Sequence, residues 1–177
     1  MQRGHQERLA PMVAEILDEA GIKPRDLRHI GVTLGPGSFT GLRIGLAFAK
    51  GLASGLGLKL KGIGTLEALV AHPELAARRT LSVIHGGRDH IYTQATGSPP
   101  RAFDPEAMPV ADVLTGPAAT LIRDHYPAAE LFVQDWPSLS ALAALVHAPG
   151  HDDVTPLYMR DADAVVSTRG IIAPVTA

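Results

Sequence analysis

Gly35-Pro36-Gly37-Ser38-Phe39-Thr40-Gly41-Leu42-Arg43-Ile44-Gly45 joins an apolar strand to a long helix through a glycine-rich turn. Turns of this kind are where α/β proteins bind phosphates and pack helices tightly. The strand ahead of it is Ile30-Gly31-Val32-Thr33-Leu34, an apolar run that ends in two glycines and a proline, as a buried strand does. Ser38 or Thr40 can cap the helix by accepting one of its unpaired first-turn N–H groups. The pattern predicts a helix over Phe39 to Ser54, about 24 Å long at 1.5 Å per residue.

That helix has an unusual composition. Phe39, Leu42, Ile44, Leu46, Phe48 and Leu52 spread over more than one face, and its only charges, Arg43 and Lys50, share one narrow stripe. A helix that is apolar nearly all round is buried on both sides, between its own sheet and something else. Gly41, Gly45, Ala49 and Ala53 form a row of small residues at four-residue spacing, which is read here as tight packing on the parent sheet. Arg43, Lys50 and the glycines argue against a membrane span.

Upstream, Gln6 to Ala20 reads as an amphipathic helix with Leu9, Met12, Val13, Ile16, Leu17 and Ala20 on one face, stopped by Gly21. Pro24 opens a short helical turn. Downstream, a strand is expected at Leu58 to Ile63, then a short helix capped by Thr65 and running to about Ala71, giving an α/β layer with parallel strands. From Thr80 the pattern changes. Leu81 to Ile84 and Ile91 to Ala95 flank the polar turn Gly86-Gly87-Arg88-Asp89, a hairpin signal. A proline-rich loop from Pro99 to Pro109 precedes a strand at Val110 to Leu114, a helix at Pro117 to His125, a strand at Leu131 to Val133 and a helix from Ser138 to His147. A lobe boundary falls between Pro73 and Thr80.

With 177 residues, 46% hydrophobic and 19% charged, the composition is that of a globular chain that buries roughly 70% of its unfolded surface. A formal charge of −2 and the absence of any Lys/Arg run argue against a stand-alone nucleic-acid binder. There is no cysteine, so disulfides, thiolate catalysis and Cys-based zinc sites are excluded. No signal peptide is recognised, and a cytoplasmic location is expected.

The glycine turn fails both nucleotide fingerprints. No frame around Gly37-Ser-Phe-Thr-Gly41 supplies the P-loop lysine, and Gly35 and Gly37 are followed by three residues before Gly41 instead of two. A weak anion site at Gly37 and Ser38, on the helix N-terminus, remains open. His147 and His151 have the spacing of a zinc-binding pair, but Pro149 and Gly150 lie between them. His85, Arg88, Asp89 and His90 read as a solvated hairpin tip, and Trp136 as an anchor of its loop to the core.

Gly35 to Gly45, followed by Ala49-Lys50-Gly51-Leu52-Ala53 and Gly62-Ile63-Gly64-Thr65-Leu66-Glu67-Ala68-Leu69, resembles the TsaB (YeaZ) family, bacterial proteins needed to make threonylcarbamoyladenosine on tRNA. His5 to Met12 and Asp26-Leu27 fit the same pattern, so the likeness is strong from Gly4 to Ala71. Ser82 to Tyr92 resembles the family's hairpin with His85 in place of an acid, and Leu114-Thr115-Gly116 and Pro156-Leu157-Tyr158-Met159-Arg160 resemble later landmarks.

The resemblance implies an α/β, actin-like (ASKHA, ribonuclease-H-like) two-lobed fold, with lobes over residues 1–76 and 77–177. It implies a non-catalytic scaffold, without metal or confident cofactor site, that pairs with the transferase TsaD and is joined by the ATPase TsaE. ATP is used by the complex, and tRNA is met only through it. The pairing would use the first two helices, through Leu9, Met12, Val13, Ile16, Phe39, Leu42, Arg43, Leu46 and Lys50, and a homodimer could use the same helices. Family members also begin with further strands, so the first lobe is expected to be N-terminally truncated, with an open edge at the Ile30 strand that favours self-association. Two other readings stay in view: an independent actin-like ATP-binding enzyme, and a glycoprotease-type peptidase.

Overall fold

Leu81-Ser82-Val83-Ile84, buried without a break, is the centre of the larger of two sheets, a strand whose alternate residues enter different cores. The computed structural model describes residues 5–86, 90–148 and 154–159. In chain order its elements are α1 (His5–Glu19), β1 (Ile30–Gly35), α2 (Phe39–Leu56), β2 (Leu60–Gly64), α3 (Thr65–Val70), β3 (Thr80–His85), β4 (Ile91–Ala95), β5 (Arg101–Ala102), β6 (Val113–Thr115), β7 (Glu130–Phe132) and α4 (Leu139–His147). Short 3-10 turns lie at Pro24–Asp26, Pro73–Leu75 and Ala119–His125.

β1 and β2 form a parallel pair, with Val32 opposite Gly62 and Thr33 opposite Ile63. α2 packs along β1, and α4 lies on both strands. The second sheet has the order β5-β4-β3-β6-β7, antiparallel on the β4 side of β3 and parallel on the β6 side. Leu81 and Val83 pack with Leu114, Ala118, Ile122 and Tyr126 on one face of it. Ile84 and Tyr92 meet Leu66 and Leu69 of α3 on the other. α3 also contacts β1, β2 and α4, so this short helix, with Leu66, Ala68 and Leu69 buried, is the layer shared by the two sheets. The Ser82 hydroxyl ties it to β3 by donating to the Leu66 carbonyl at 2.9 Å.

Several expectations are refined. α2 runs two residues past Ser54 and closes on Gly57, whose φ of +64° is the left-handed stop that glycine favours. Gly64 is the N-cap of α3, with its N–H held by the Glu67 carboxylate, while Thr65 is already helical. The expected helix over Pro117 to His125 is a 3-10 helix, and the proline-rich loop contains the two-residue strand β5. Trp136 does not anchor its loop: it is 78% exposed, between exposed Val133 and Leu139, and Gln134 does the anchoring by donating to the Leu69 carbonyl. The row of small residues divides, because Ala49 and Ala53 face the core while Gly41 is exposed and nothing lies within 4 Å of a Cβ built on Gly45.

Candidate partner-binding surface

The helix α2 is amphipathic toward its own sheet but not toward solvent. Leu46, Ala49 and Ala53 are its buried residues. Around the helix from them stand Thr40, Ala47, Gly51, Ser54 and Gly55, all exposed, with Ile44 and Phe48 half-buried among them. A Cβ at Gly45, Gly51 or Gly55 would meet nothing within 4 Å, so no contact of the described residues requires a glycine there. Each glycine inside a helix costs about 1 kcal/mol relative to alanine. The chain thus carries a helix with a smooth, partly apolar outer face at a cost that packing among the described residues does not explain.

α1 adds a second such face. No other described element packs extensively on it. Leu9, Val13 and Leu17 are half-buried, Met12 and Ile16 are exposed, the latter by 60%, and Glu7, Arg8, Glu15, Asp18 and Glu19 lie in solvent. Covering a large aliphatic side chain of this kind contributes about 1.5–3 kcal/mol.

Of the residues expected to bind a partner, Met12, Ile16, Phe39, Arg43 and Lys50 are exposed, and Leu9, Val13 and Leu42 are half-buried. Leu42 lies over the glycine turn, against Gly35 and Gly37. Leu46 is 7% exposed on the inward face, so it belongs to the chain's own core. The sequence could not fix its side, because apolar residues surround that helix and leave its rotation ambiguous.

The glycine turn itself is shaped by packing. Gly35 has φ +105°, and a side chain there would collide with Leu42 and crowd the carbonyl of Leu157. Ser38 is the N-cap, accepting the Gly41 N–H on Oγ at 3.3 Å. Gly37 and Ser38 are exposed, and the capping bond occupies one of the first-turn amides that an anion would use.

One feature of the surface is invisible in the sequence. Tyr158 lies at the start of α2: its hydroxyl accepts from Arg43 Nε at 3.2 Å, and its ring stands 5.6 Å from that of Phe39. The Arg43 guanidinium sits 3.8 Å above the centre of the Phe39 ring, a cation–π contact. In the sequence the segment around Tyr158 reads only as a landmark.

Four of the histidines pack against other rings. His29 and His147 meet edge to face at 4.6 Å, and His72 and His125 lie against Phe132 and Phe103. Arg88, Asp89 and His151 lie outside the described residues. Among the described residues, no three His, Asp or Glu side chains come together in a way that could hold a metal ion. Also among them, no helix is long and apolar enough to cross a membrane.

Comparison with known proteins gives concordant results. Residues 1–121 match the family profile described as TsaD, tRNA N6-adenosine threonylcarbamoyltransferase. An uncharacterized Mycobacterium tuberculosis protein is 34% identical over 168 residues, covering 92% of this chain and 78% of its own length. The tRNA threonylcarbamoyladenosine biosynthesis protein TsaB of Escherichia coli is 38% identical over 92 residues, 51% of this chain and 40% of its own. The solved YeaZ of Pseudomonas aeruginosa superposes with a TM-score of 0.70 at 25% identity, covering 87% of this chain and 84% of that one.

Proposed function

Since the chain belongs to the family of the TsaD profile and is a homologue of TsaB/YeaZ, we propose that it serves threonylcarbamoyladenosine formation on tRNA as a non-catalytic, cytoplasmic subunit paired with a TsaD-type transferase. The observation that carries this reading is the outer side of α1 and α2, which the other described residues leave uncovered. Met12, Ile16 and Phe39 are exposed there, and Gly51 and Gly55 leave room for a second backbone to approach. Two helices of a related α/β subunit laid against them would bury both stripes in one helical bundle.

In this reading residues 1–76 form the lobe that docks and residues 77–177 the second lobe, an actin-like pair. An ATPase of the TsaE type joins the assembled pair, and tRNA is contacted by the assembly. The net charge of −2 accords with a subunit that does not hold tRNA by itself.

The test is calorimetric titration of this chain with the TsaD-type subunit of the same organism, followed by threonylcarbamoyl transfer to tRNA with and without it. Saturable binding and transfer that depends on this chain are expected. Absence of binding at tens of micromolar would sink the pairing.

A further inference from the structure

The segment Val154–Met159 makes three different attachments with three consecutive residues. Leu157 donates its backbone N–H to the carbonyl of Leu34, at the end of β1, at 2.8 Å. Tyr158 holds Arg43 and Phe39 of α2. Met159 packs on Leu66, Leu69, Ile84 and Tyr92, the core that joins α3 to the second sheet. A short strap thus links the sheet end, the first turn of α2 and the interlobe core.

Its chemical consequence is at Arg43. Free arginine side chains sample many rotamers, and ordering one at an interface costs conformational entropy. Here the guanidinium is already stacked on Phe39 and tethered through Nε, while among the described residues its two terminal nitrogens have no hydrogen-bond or salt-bridge partner. Phe39 is 51% and Tyr158 47% exposed, so the stacked group stands at the surface. The Tyr158 hydroxyl, having accepted from Nε, retains its own proton to donate. Guanidinium and hydroxyl donors fixed side by side match a carboxylate, and Arg, Tyr and Phe are residue types enriched at interfaces.

We propose that Tyr158 is a positioning residue of the partner surface: it presets Arg43 over Phe39 to receive an Asp or Glu side chain of the paired subunit. The inference rests on the pairing proposed above. It assigns a segment of the second lobe to a surface otherwise built by the first two helices.

The experiment measures the affinity of the TsaD-type subunit for wild type, Tyr158→Phe, Tyr158→Ala, Arg43→Ala and the Arg43→Ala/Tyr158→Phe double variant, at low and high NaCl. Thermal unfolding of each free chain serves as the folding control. Tyr158→Phe keeps the ring and loses the hydroxyl, and is expected to weaken binding about tenfold. Tyr158→Ala loses both and is expected to weaken it about thirtyfold. In the Arg43→Ala background Tyr158→Phe should add little, and the salt dependence of wild-type binding should flatten. Wild-type affinity in Tyr158→Phe and Tyr158→Ala, or tighter binding in either, would overturn the inference while leaving the pairing intact. Failure of the wild-type chain to bind would remove the pairing itself.

Discussion

Val146 of α4 lies directly on Gly31 of β1, where a side chain at position 31 would overlap its Cγ2 methyl. The helix is pressed onto the sheet at this point, and Lys61 Nζ fastens its end by donating to the Ala148 carbonyl at 2.9 Å. A β-branched valine cannot swing aside, so Gly31→Ala must displace α4. The substitution is expected to destabilise the chain by about 1–3 kcal/mol. Adding Val146→Ala should recover part of that loss, and urea unfolding of the two single variants and the double variant measures the coupling. Additive losses would show that the contact does not limit the packing.

Gly51 and Gly55 lead to the opposite expectation. Among the described residues, neither has a neighbour within 4 Å of a built Cβ. Changing either to alanine should therefore raise the stability of the free chain by up to about 1 kcal/mol through helix propensity alone. If the outer face of α2 is where a partner helix approaches, the same methyl groups should weaken pairing. Melting temperature and dissociation constant moving in opposite directions is the expected signature. A gain in stability with unchanged affinity would place the partner elsewhere.

The contrast between Ile16 and Leu46 separates docking from folding. Ile16 is exposed on α1, whereas Leu46 is buried against the chain's own sheet. Ile16→Asp should change stability by no more than about 0.5 kcal/mol. It should nonetheless abolish binding of the transferase subunit. Leu46→Ala should cost about 2–5 kcal/mol of stability. Its binding, measured on the fraction that remains folded, should be nearly normal. Urea titrations beside calorimetry distinguish the two, and equal stability losses would contradict the assigned helix rotation.

These contrasts also mark what the sequence could reveal. The strand at Ile30, the cap at Ser38, the hairpin arms at Leu81 and Ile91 and the uncovered second side of α2 were legible because each is a local pattern of periodicity or capping. The sequence does not place Leu46 inward, because a helix apolar on several sides carries no phase information. Trp136 reads as an anchor from its sequence and stands in solvent, because residue type gives a preference for burial but no position. The Tyr158–Arg43 contact was out of reach in principle, since it joins residues 115 apart through a segment with no regular structure. Long-range contacts between irregular segments leave no period to read.

Arg79 and Asp112 form a two-pronged contact, with Nε to Oδ2 at 2.8 Å and Nη2 to Oδ1 at 2.6 Å, at the edge where β3 and β6 begin. Hydrogen bonding from the Arg79 guanidinium lowers the pKa of Asp112 from its ordinary value. With a folded pKa below the unfolded one, the pair contributes stability above the unfolded pKa, and that contribution is lost as pH falls through the folded value. The side chains remain in contact with solvent, so the effect is small and screened by salt. The urea midpoint of wild type should therefore exceed that of Asp112→Asn at neutral pH, and the two should converge as the pH drops below the usual carboxylate range. The difference should also shrink in high NaCl. A gap between the two proteins that persists undiminished at low pH would mean that Asp112 acts through something other than its charge on Arg79.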